Sequence, residues 1–204
     1  MLSDAYRFVL PFIGVAALFF WLNLIWPACI FVLLAAFVCY FFRNPRRKVP
    51  DGKNLVVSPA DGKVVRIAPI RNENGGEDRL LVSIFLNIFN VHANRSPIRG
   101  VLQKFEYKQG KYKVAYDDDA SRVNEQNILT IKGDAIEVIV KQIAGLIARR
   151  VVCWKSLGSL MEQGELIGLI RFGSRVDVIL PGQINILVQT GDWVKGGSSI
   201  LGKY

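Results

Sequence analysis

Residues 164–181 read Gly-Glu-Leu-Ile-Gly-Leu-Ile-Arg-Phe-Gly-Ser-Arg-Val-Asp-Val-Ile-Leu-Pro. Two apolar runs, Leu166–Arg171 and Arg175–Leu180, flank a short break at Gly173-Ser174. Each is too short for a helix and rich in Val, Ile and Leu, which reads as a strand. Ser174 by itself reads as part of a tight β-turn. The pattern repeats outward, in Leu55–Val57, Lys63–Pro69, Leu80–Leu86, Asn127–Lys132, Ile136–Gln142 and Ile184–Gln189. Asp61-Gly62, Asn74-Gly75-Gly76, Gly133-Asp134, Pro181-Gly182 and Gly191-Asp192 punctuate these runs. Short strands with such turns predict a mainly β domain, a sandwich or barrel, from Pro50 onward. Gly145–Arg150 reads as one helical turn.

The other end of the chain has a different composition. Residues 8–42 contain no Asp, Glu, Lys, Arg or His, a run of 35 residues. A single membrane span needs about 20. Two readings are open: one tilted helix with an apolar extension, or a helical hairpin, Phe8–Ile25 and Ala28–Phe42, turning at Trp26-Pro27. The short second half also allows a shallow re-entrant hairpin. The run is too long for a signal peptide and lacks its basic start and cleavage site. Arg43, Arg46, Arg47 and Lys48 follow at once, and basic residues beside a span stay cytoplasmic. The same cluster attracts anionic headgroups, at about 1 kcal/mol per basic residue near the surface. The expected organisation is a membrane anchor over 1–42 and a β domain over 43–204, on the cytoplasmic side of the cell membrane.

Composition narrows the function classes. With 51% apolar and 21% charged residues, the 204-residue chain is not disordered. Its net charge of +9 comes without a basic helix or an aromatic-basic ladder, so no nucleic-acid partner is expected. Of the three cysteines, Cys29 and Cys39 lie in the apolar run, leaving Cys153 alone, so there is no disulfide framework. One histidine and one soluble cysteine cannot supply a zinc site, and no metal is expected. Asp117-Asp118-Asp119 reads as a solvated turn.

Two segments look like copies of one device, Ser58-Pro59-Ala60-Asp61-Gly62-Lys63-Val64-Val65 and Thr190-Gly191-Asp192-Trp193-Val194-Lys195-Gly196-Gly197. They resemble the turns of lipoyl and biotinyl carrier domains, which implies a barrel-sandwich-hybrid-like fold. Lys63 takes the place of a carrier lysine in that comparison and otherwise reads as an exposed turn residue.

The single histidine, His92, sits among Asn87, Asn90, Asn94, Arg95 and Ser96, after an apolar strand and before Pro97. That is a loop on a rigid scaffold, where function concentrates. Asp61 has turn chemistry with Gly62. A Ser, a His and an Asp can form a base-activated nucleophile whatever their chain order, and here the order is Asp61, His92, Ser174.

Several longer motifs appear in sequence: Arg43-Asn44-Pro45-Arg46-Arg47, Pro59-Ala60-Asp61-Gly62-Lys63, Asn90-Val91-His92-x-Asn94-Arg95-x-Pro97, Gln142-Ile143-Ala144-Gly145-x-x-Ala148-Arg149-Arg150 and the segment 164–177. Together they closely resemble the short form of phosphatidylserine decarboxylase, from about residue 43 to the C-terminus. The resemblance implies a pyruvoyl enzyme that makes its own cofactor. The Gly173–Ser174 bond would break without hydrolysis, leaving a β chain, 1–173, and an α chain, 174–204, as a heterodimer. Ser174 Oγ would attack the Gly173 carbonyl to give an ester. Loss of that ester from Cβ leaves dehydroalanine, and tautomerisation with loss of ammonia leaves pyruvoyl at residue 174. His92 would take the Ser174 proton, and Asp61 would orient the imidazole. The substrate amine would then form a Schiff base with the pyruvoyl group, which accepts the electrons released as CO₂ leaves. The partners implied are a phospholipid and an anionic membrane surface.

Two details qualify the resemblance. Gly158-Ser159 mimics the cleavage motif of the longer bacterial enzymes, but no comparable strands flank it. Those enzymes carry a second His where this chain has Phe89, so either His92 serves both stages or another group donates the proton. Asn124, Glu125, Gln126 and Asn127 are candidate headgroup ligands, and otherwise a polar turn before Ile128–Ile131. An archaeal ether-linked serine phospholipid is an alternative substrate. From another class, a non-enzymatic membrane-anchored adaptor with carrier-like turns accounts for the strands and anchor, but leaves Arg-Phe-Gly-Ser and the His92 loop without a role.

Overall fold

The computed structural model describes residues 2–70, 78–110, 120–145, 150–171 and 174–204. Its internal contacts divide it into two units, Met1–Arg46 and Arg47–Tyr204.

The first unit is a helical hairpin, α1 (Tyr6–Trp21) and α2 (Ile25–Phe41). The turn falls at Leu22–Leu24, not at Trp26-Pro27. Asn23 adopts φ +57°, a left-handed conformation that asparagine tolerates. Pro27 instead occupies the first turn of α2, where its missing N–H costs no helical bond. Phe19 stacks on Phe31 at 5.6 Å and Phe8 on Phe42 at 5.7 Å, tying the two helices along their length. The helices have 16 and 17 residues, about 24–26 Å each, against a hydrocarbon core of about 30 Å. Among the described residues no helix is long and apolar enough to cross a membrane.

The second unit is β. Its strands are β1 (Leu55–Val57), β2 (Gly62–Ile70), β3 (Arg79–Leu86), β4 (Ala93–Arg95), β5 (Gly100–Lys108), β6 (Gln126–Lys132), β7 (Glu137–Ala144), β8 (Val151–Cys153), β9 (Leu160–Met161), β10 (Leu166–Ile170), β11 (Ser174–Pro181), β12 (Asn185–Ile186), β13 (Trp193–Val194) and β14 (Ile200–Lys203). An eight-stranded sheet runs β13-β2-β3-β11-β7-β6-β5-β9, with two three-stranded sheets, β4-β10-β8 and β1-β14-β12. The expected β class holds, but Ile184–Gln189 shrinks to the two residues of β12. The turn at Asn74-Gly75-Gly76, the aspartates 117–119 and residues 146–149 of the expected helical turn lie outside the described residues.

The strand 174–181 is the centre of the large sheet. Ser174–Leu180 are all buried, because β3 and β7 pair with β11 on both sides. Alternate residues point to opposite faces. Val176, Val178 and Leu180 meet Val82, Ile84, Val138, Val140, Leu129 and Ile131 in the core. Arg175 and Asp177 fall on the other face. They pair at 2.6 Å, each side chain 1% exposed, and Arg175 also donates to Ser83 Oγ at 2.8 Å.

The two carrier-like segments pair with each other. Trp193 opposes Lys63 and Val194 opposes Gly62, while Gly197 N donates to Ser58 O and Gly191 N to Val64 O. Lys63 is thus a strand residue opposite a tryptophan, not the tip of a turn. Gly62 is required here: a Cβ would lie 2.2 Å from the Phe85 carbonyl oxygen.

Candidate functional site

Ser174 opens β11. Its register partners are Leu86 on β3 and Ala144 on β7. The residue is fully buried, and its Oγ has no hydrogen-bond partner among the described residues. A buried hydroxyl left unpaired costs about 1–3 kcal/mol, so it calls for a functional explanation. Gly173, the other half of the expected cleavage site, lies outside the described residues.

His92 ends the loop that leaves β3 at Leu86. Asparagines pin that loop. Asn87 N donates to Asn90 Oδ1 and Phe89 N to Asn87 Oδ1, both at 2.9 Å. The imidazole is fully buried. Its Nδ1 lies 3.0 Å from the Asn90 carbonyl oxygen. A carbonyl only accepts, so Nδ1 carries the hydrogen and Nε2 of the neutral ring keeps the basic lone pair. Phe89 is 59% exposed.

Register relates the two residues. Asn94 on β4 opposes Gly168 on β10, and the Ile170 N–H reaches the His92 carbonyl. Gln142 opposes Val176 and Ala144 opposes Ser174. Asn94 and Gln142 join through their side chains, Gln142 Nε2 donating to Asn94 Oδ1 at 2.8 Å. Moving from that bond toward the connection between β10 and β11 reaches His92 on one side and Ser174 on the other. β4 and β10 belong to a three-stranded sheet and β11 and β7 to the eight-stranded one, and the amide bond joins the strand that follows His92 to the strand that pairs with Ser174.

Asp61 has different partners from those expected. Its Oδ2 accepts from Arg47 Nη2 at 2.5 Å and its Oδ1 from the Gly196 N–H at 2.8 Å. The orienting contact at His92 Nδ1 comes from Asn90, and Asp61 instead joins the two carrier-like turns. Arg47 is correspondingly not a free surface cation: its side chain is 13% exposed, beside Asp61 at 14%. Arg95, three residues after His92, donates to Gly164 O at 2.8 Å. Burial, and then the charge of Arg47, holds its pKa below the usual value for arginine.

The polar run Asn124–Asn127 is not an exposed turn. All four residues are buried. Asn124 Nδ2 donates to Ala144 O at 2.8 Å, and Ala144 N donates to Glu125 O at 2.9 Å. Asn127 Nδ2 donates to Gln142 Oε1 at 3.0 Å, and Gln126 Nε2 donates to Ser121 O at 3.2 Å. The first two brace the strand partner of Ser174 from its far edge. Gln142 was not singled out as a site residue. Its signal was a lone amide at a core-facing position of the apolar run Ile136–Gln142.

Ser159 occupies a turn, with its N–H on Ser156 O, after Gly158 at φ +83° with nothing within 4 Å of its notional Cβ. Among the described residues no three His, Cys, Asp or Glu side chains gather as a metal site.

Known proteins match this chain along nearly its whole length. The phosphatidylserine decarboxylase family profile matches residues 34–202. A phosphatidylserine decarboxylase proenzyme of Solibacter usitatus is 48% identical over 203 residues, 100% of this chain and 96% of the relative. One from Syntrophus aciditrophicus is 45% identical over 187 residues, 91% of this chain and 88% of the relative. One from Wolbachia pipientis is 40% identical over 205 residues, covering 97% and 88%.

Proposed function

The chain belongs to the phosphatidylserine decarboxylase family, and we propose that it matures by breaking itself at Gly173–Ser174. The mature enzyme removes the serine carboxylate of phosphatidylserine as CO₂, leaving phosphatidylethanolamine. Membership also sets aside the non-enzymatic adaptor. The observation that carries the maturation step is the buried, unpartnered Ser174 hydroxyl at the head of a central strand. His92 Nε2 is the base for that hydroxyl, because Asn90 holds the hydrogen on Nδ1.

Residue 174 suits a covalent pyruvoyl group. Its hydroxyl is spent on no fold contact, and its position is enclosed. That group supplies an electron sink when the substrate carboxylate leaves. Every other task falls to the chain: Ala144 and Leu86 fix residue 174 in register, and the buried wall of the site excludes water. Asp61 acts at one remove, holding Arg47 and the Gly196 turn. Asn124 and Glu125 brace Ala144, the strand partner of residue 174.

Pairing also explains how a cleaved α chain, 174–204, stays in place as half of a heterodimer. β11 is held between β3 and β7, β13 pairs with β2, and β14 pairs with β1. All four partner strands belong to the segment before residue 174. The new end at residue 174 therefore stays where the serine was.

The hairpin of α1 and α2 is the membrane anchor in this reading. Trp21, Trp26 and Phe20 are 77%, 84% and 71% exposed near its turn, an apolar tip that suits a bilayer and not water. Helices of this length fit a shallow re-entrant hairpin. Both its ends then lie on the side of Arg43 and Arg46, the cytoplasmic side.

The test is CO₂ release from carboxyl-labelled phosphatidylserine in vesicles. The full chain should release label and Ser174→Ala should not; equal release from both would refute the role of residue 174. A reporter fused after Tyr204 should be active in the cytoplasm, and activity only outside it would reverse the orientation.

A further inference from the structure

One register row of the large sheet runs unbroken beside Ser174. Trp193 opposes Lys63, Lys63 opposes Phe85, and Phe85 opposes Arg175, the residue after Ser174. On the other side Arg175 opposes Ile143, Ile143 opposes Gln126, and Gln126 opposes Lys108. The middle of the row is buried at Arg175, Ile143 and Gln126. Its two ends are exposed, with Trp193 and Lys63 at one and Lys108 with its neighbour Tyr107 at the other. Between those ends, the loop that follows Leu86, the register partner of Ser174, presents Ile88 and Phe89 to solvent.

Three aromatic side chains therefore stand at the end of the sheet that carries Ser174. They are Phe89, Tyr107 and Trp193, each more than half exposed. The loop tip is held in place, since Asn87 Oδ1 accepts the Phe89 N–H and Asn90 Oδ1 accepts the Asn87 N–H. Lys63, Lys108 and Lys195 are exposed beside the rings, while the carboxylate of Asp192 is turned to the Gln189 N–H. The opposite end of the sheet differs. There Arg79 opposes Pro181 and Lys132 opposes Glu137, and the exposed apolar residues Ile70, Val101 and Leu160 are aliphatic.

We infer that this aromatic and basic rim docks the β domain on an anionic bilayer. The inference rests on the reading of the chain as a phosphatidylserine decarboxylase with its centre at residue 174. The serine headgroup of that substrate lies at the bilayer surface, so the end of the sheet that holds Ser174 has to meet lipid. Trp and Tyr carry an apolar body and a polar tip, which suits the headgroup level. Ile88 and Phe89 suit the acyl boundary below it, where apolar faces of interfacial segments bury. The three lysines add attraction to anionic lipid. Rings gathered round one site, rather than scattered singly, mark an interaction surface.

The test presents one headgroup to the full chain in two ways: phosphatidylserine in phosphatidylcholine vesicles, and short-chain phosphatidylserine dispersed below its micelle concentration. The double variant Phe89→Gln, Trp193→Gln removes two rings from the rim. The control, Leu157→Gln with Leu160→Gln, removes two exposed apolar side chains from the opposite end of the sheet. The helical hairpin is present in every variant, so tethering is constant. The readout is the ratio of CO₂ release on vesicles to release on dispersed substrate. The rim variant should lower that ratio at least about tenfold, since burying one large apolar side chain is worth that factor. The control should stay within about twofold of the unaltered chain, as surface changes elsewhere do. An unchanged ratio in the rim variant, or an equal fall in the control, would overturn the inference and leave the rings to a protein partner or a second copy. If the rim variant fails to fold by circular dichroism, Phe89→Gln alone makes the same comparison. An unaltered chain inactive on both substrates would instead remove the decarboxylase reading itself.

Discussion

Ser159 and Ser174 each follow a glycine, and the chain puts them in opposite surroundings. Ser159 lies in a turn whose Gly158 has open space around it, beside the Lys155–Glu165 ion pair, whose side chains are 20% and 37% exposed. Ser174 begins a strand sealed on both edges, beside the Arg175–Asp177 pair at 1% exposure. One hydroxyl has water within reach, and the other is buried without a partner. A dipeptide therefore carries no chemistry by itself. The fold supplies it, by enclosing one serine between β3 and β7 and burying the only histidine.

The contrast should be sharpest in self-cleavage. Ser174→Ala removes the nucleophile and should leave the chain unbroken, while Ser159→Ala should cleave at the unaltered rate by gel and mass analysis. His92→Ala should come next, removing the base and slowing cleavage by up to about 10⁶-fold, as loss of the base does in a Ser-His-Asp system. Maturation happens once, so a time course rather than an endpoint is needed. Normal rates in His92→Ala would break the proposed chemistry.

Stability should show the same contrast between the two regions. Breaking the buried pair with Asp177→Ala strands the Arg175 charge and should cost about 3–5 kcal/mol in denaturant unfolding. Asp61→Asn should cost less, about 1–3 kcal/mol, and Arg47→Gln should match it if Asp61 serves the Arg47 contact and the Gly196 turn. A much slower cleavage in Asp61→Asn than in Arg47→Gln would return Asp61 to the imidazole. The smallest effect belongs beside Ser159. A hydrogen bond from Lys155, helped by the Glu162 N–H, lowers the Glu165 pKa. A depressed carboxylate contributes stability above its unfolded value and loses it as pH falls through the folded one. Lys155→Met should thus cost under about 1 kcal/mol at neutral pH and flatten the acid side of the stability curve below about pH 4.

How much of this was legible depends on which contacts set each element. Leu80–Leu86 and Arg175–Leu180 were readable as strands because they are short runs rich in Val, Ile and Leu bounded by turn residues. The strand Gly100–Lys108 was missed. Its charged residues Lys104, Glu106 and Lys108 mask an edge-side strand that buries little beyond Leu102. Asn124–Asn127 read as a turn, since four polar residues give no sign that β7 will cover them. The hairpin turn was placed at Pro27 because proline breaks helix interiors; at the start of α2 it breaks nothing. Ser174 and His92 were candidates from their residue types, and their roles and the Gly173 bond came from motif resemblance, whereas the Asn94–Gln142–Asn127 relay depends on side-chain contacts between strands of different sheets, which no local pattern announces.

The most direct measurement is the intact mass of the purified full chain. The account predicts two pieces: residues 1–173, and a 31-residue fragment, 174–204, whose first residue is blocked and lighter than serine by one ammonia. A single unbroken chain that decarboxylates phosphatidylserine would contradict it.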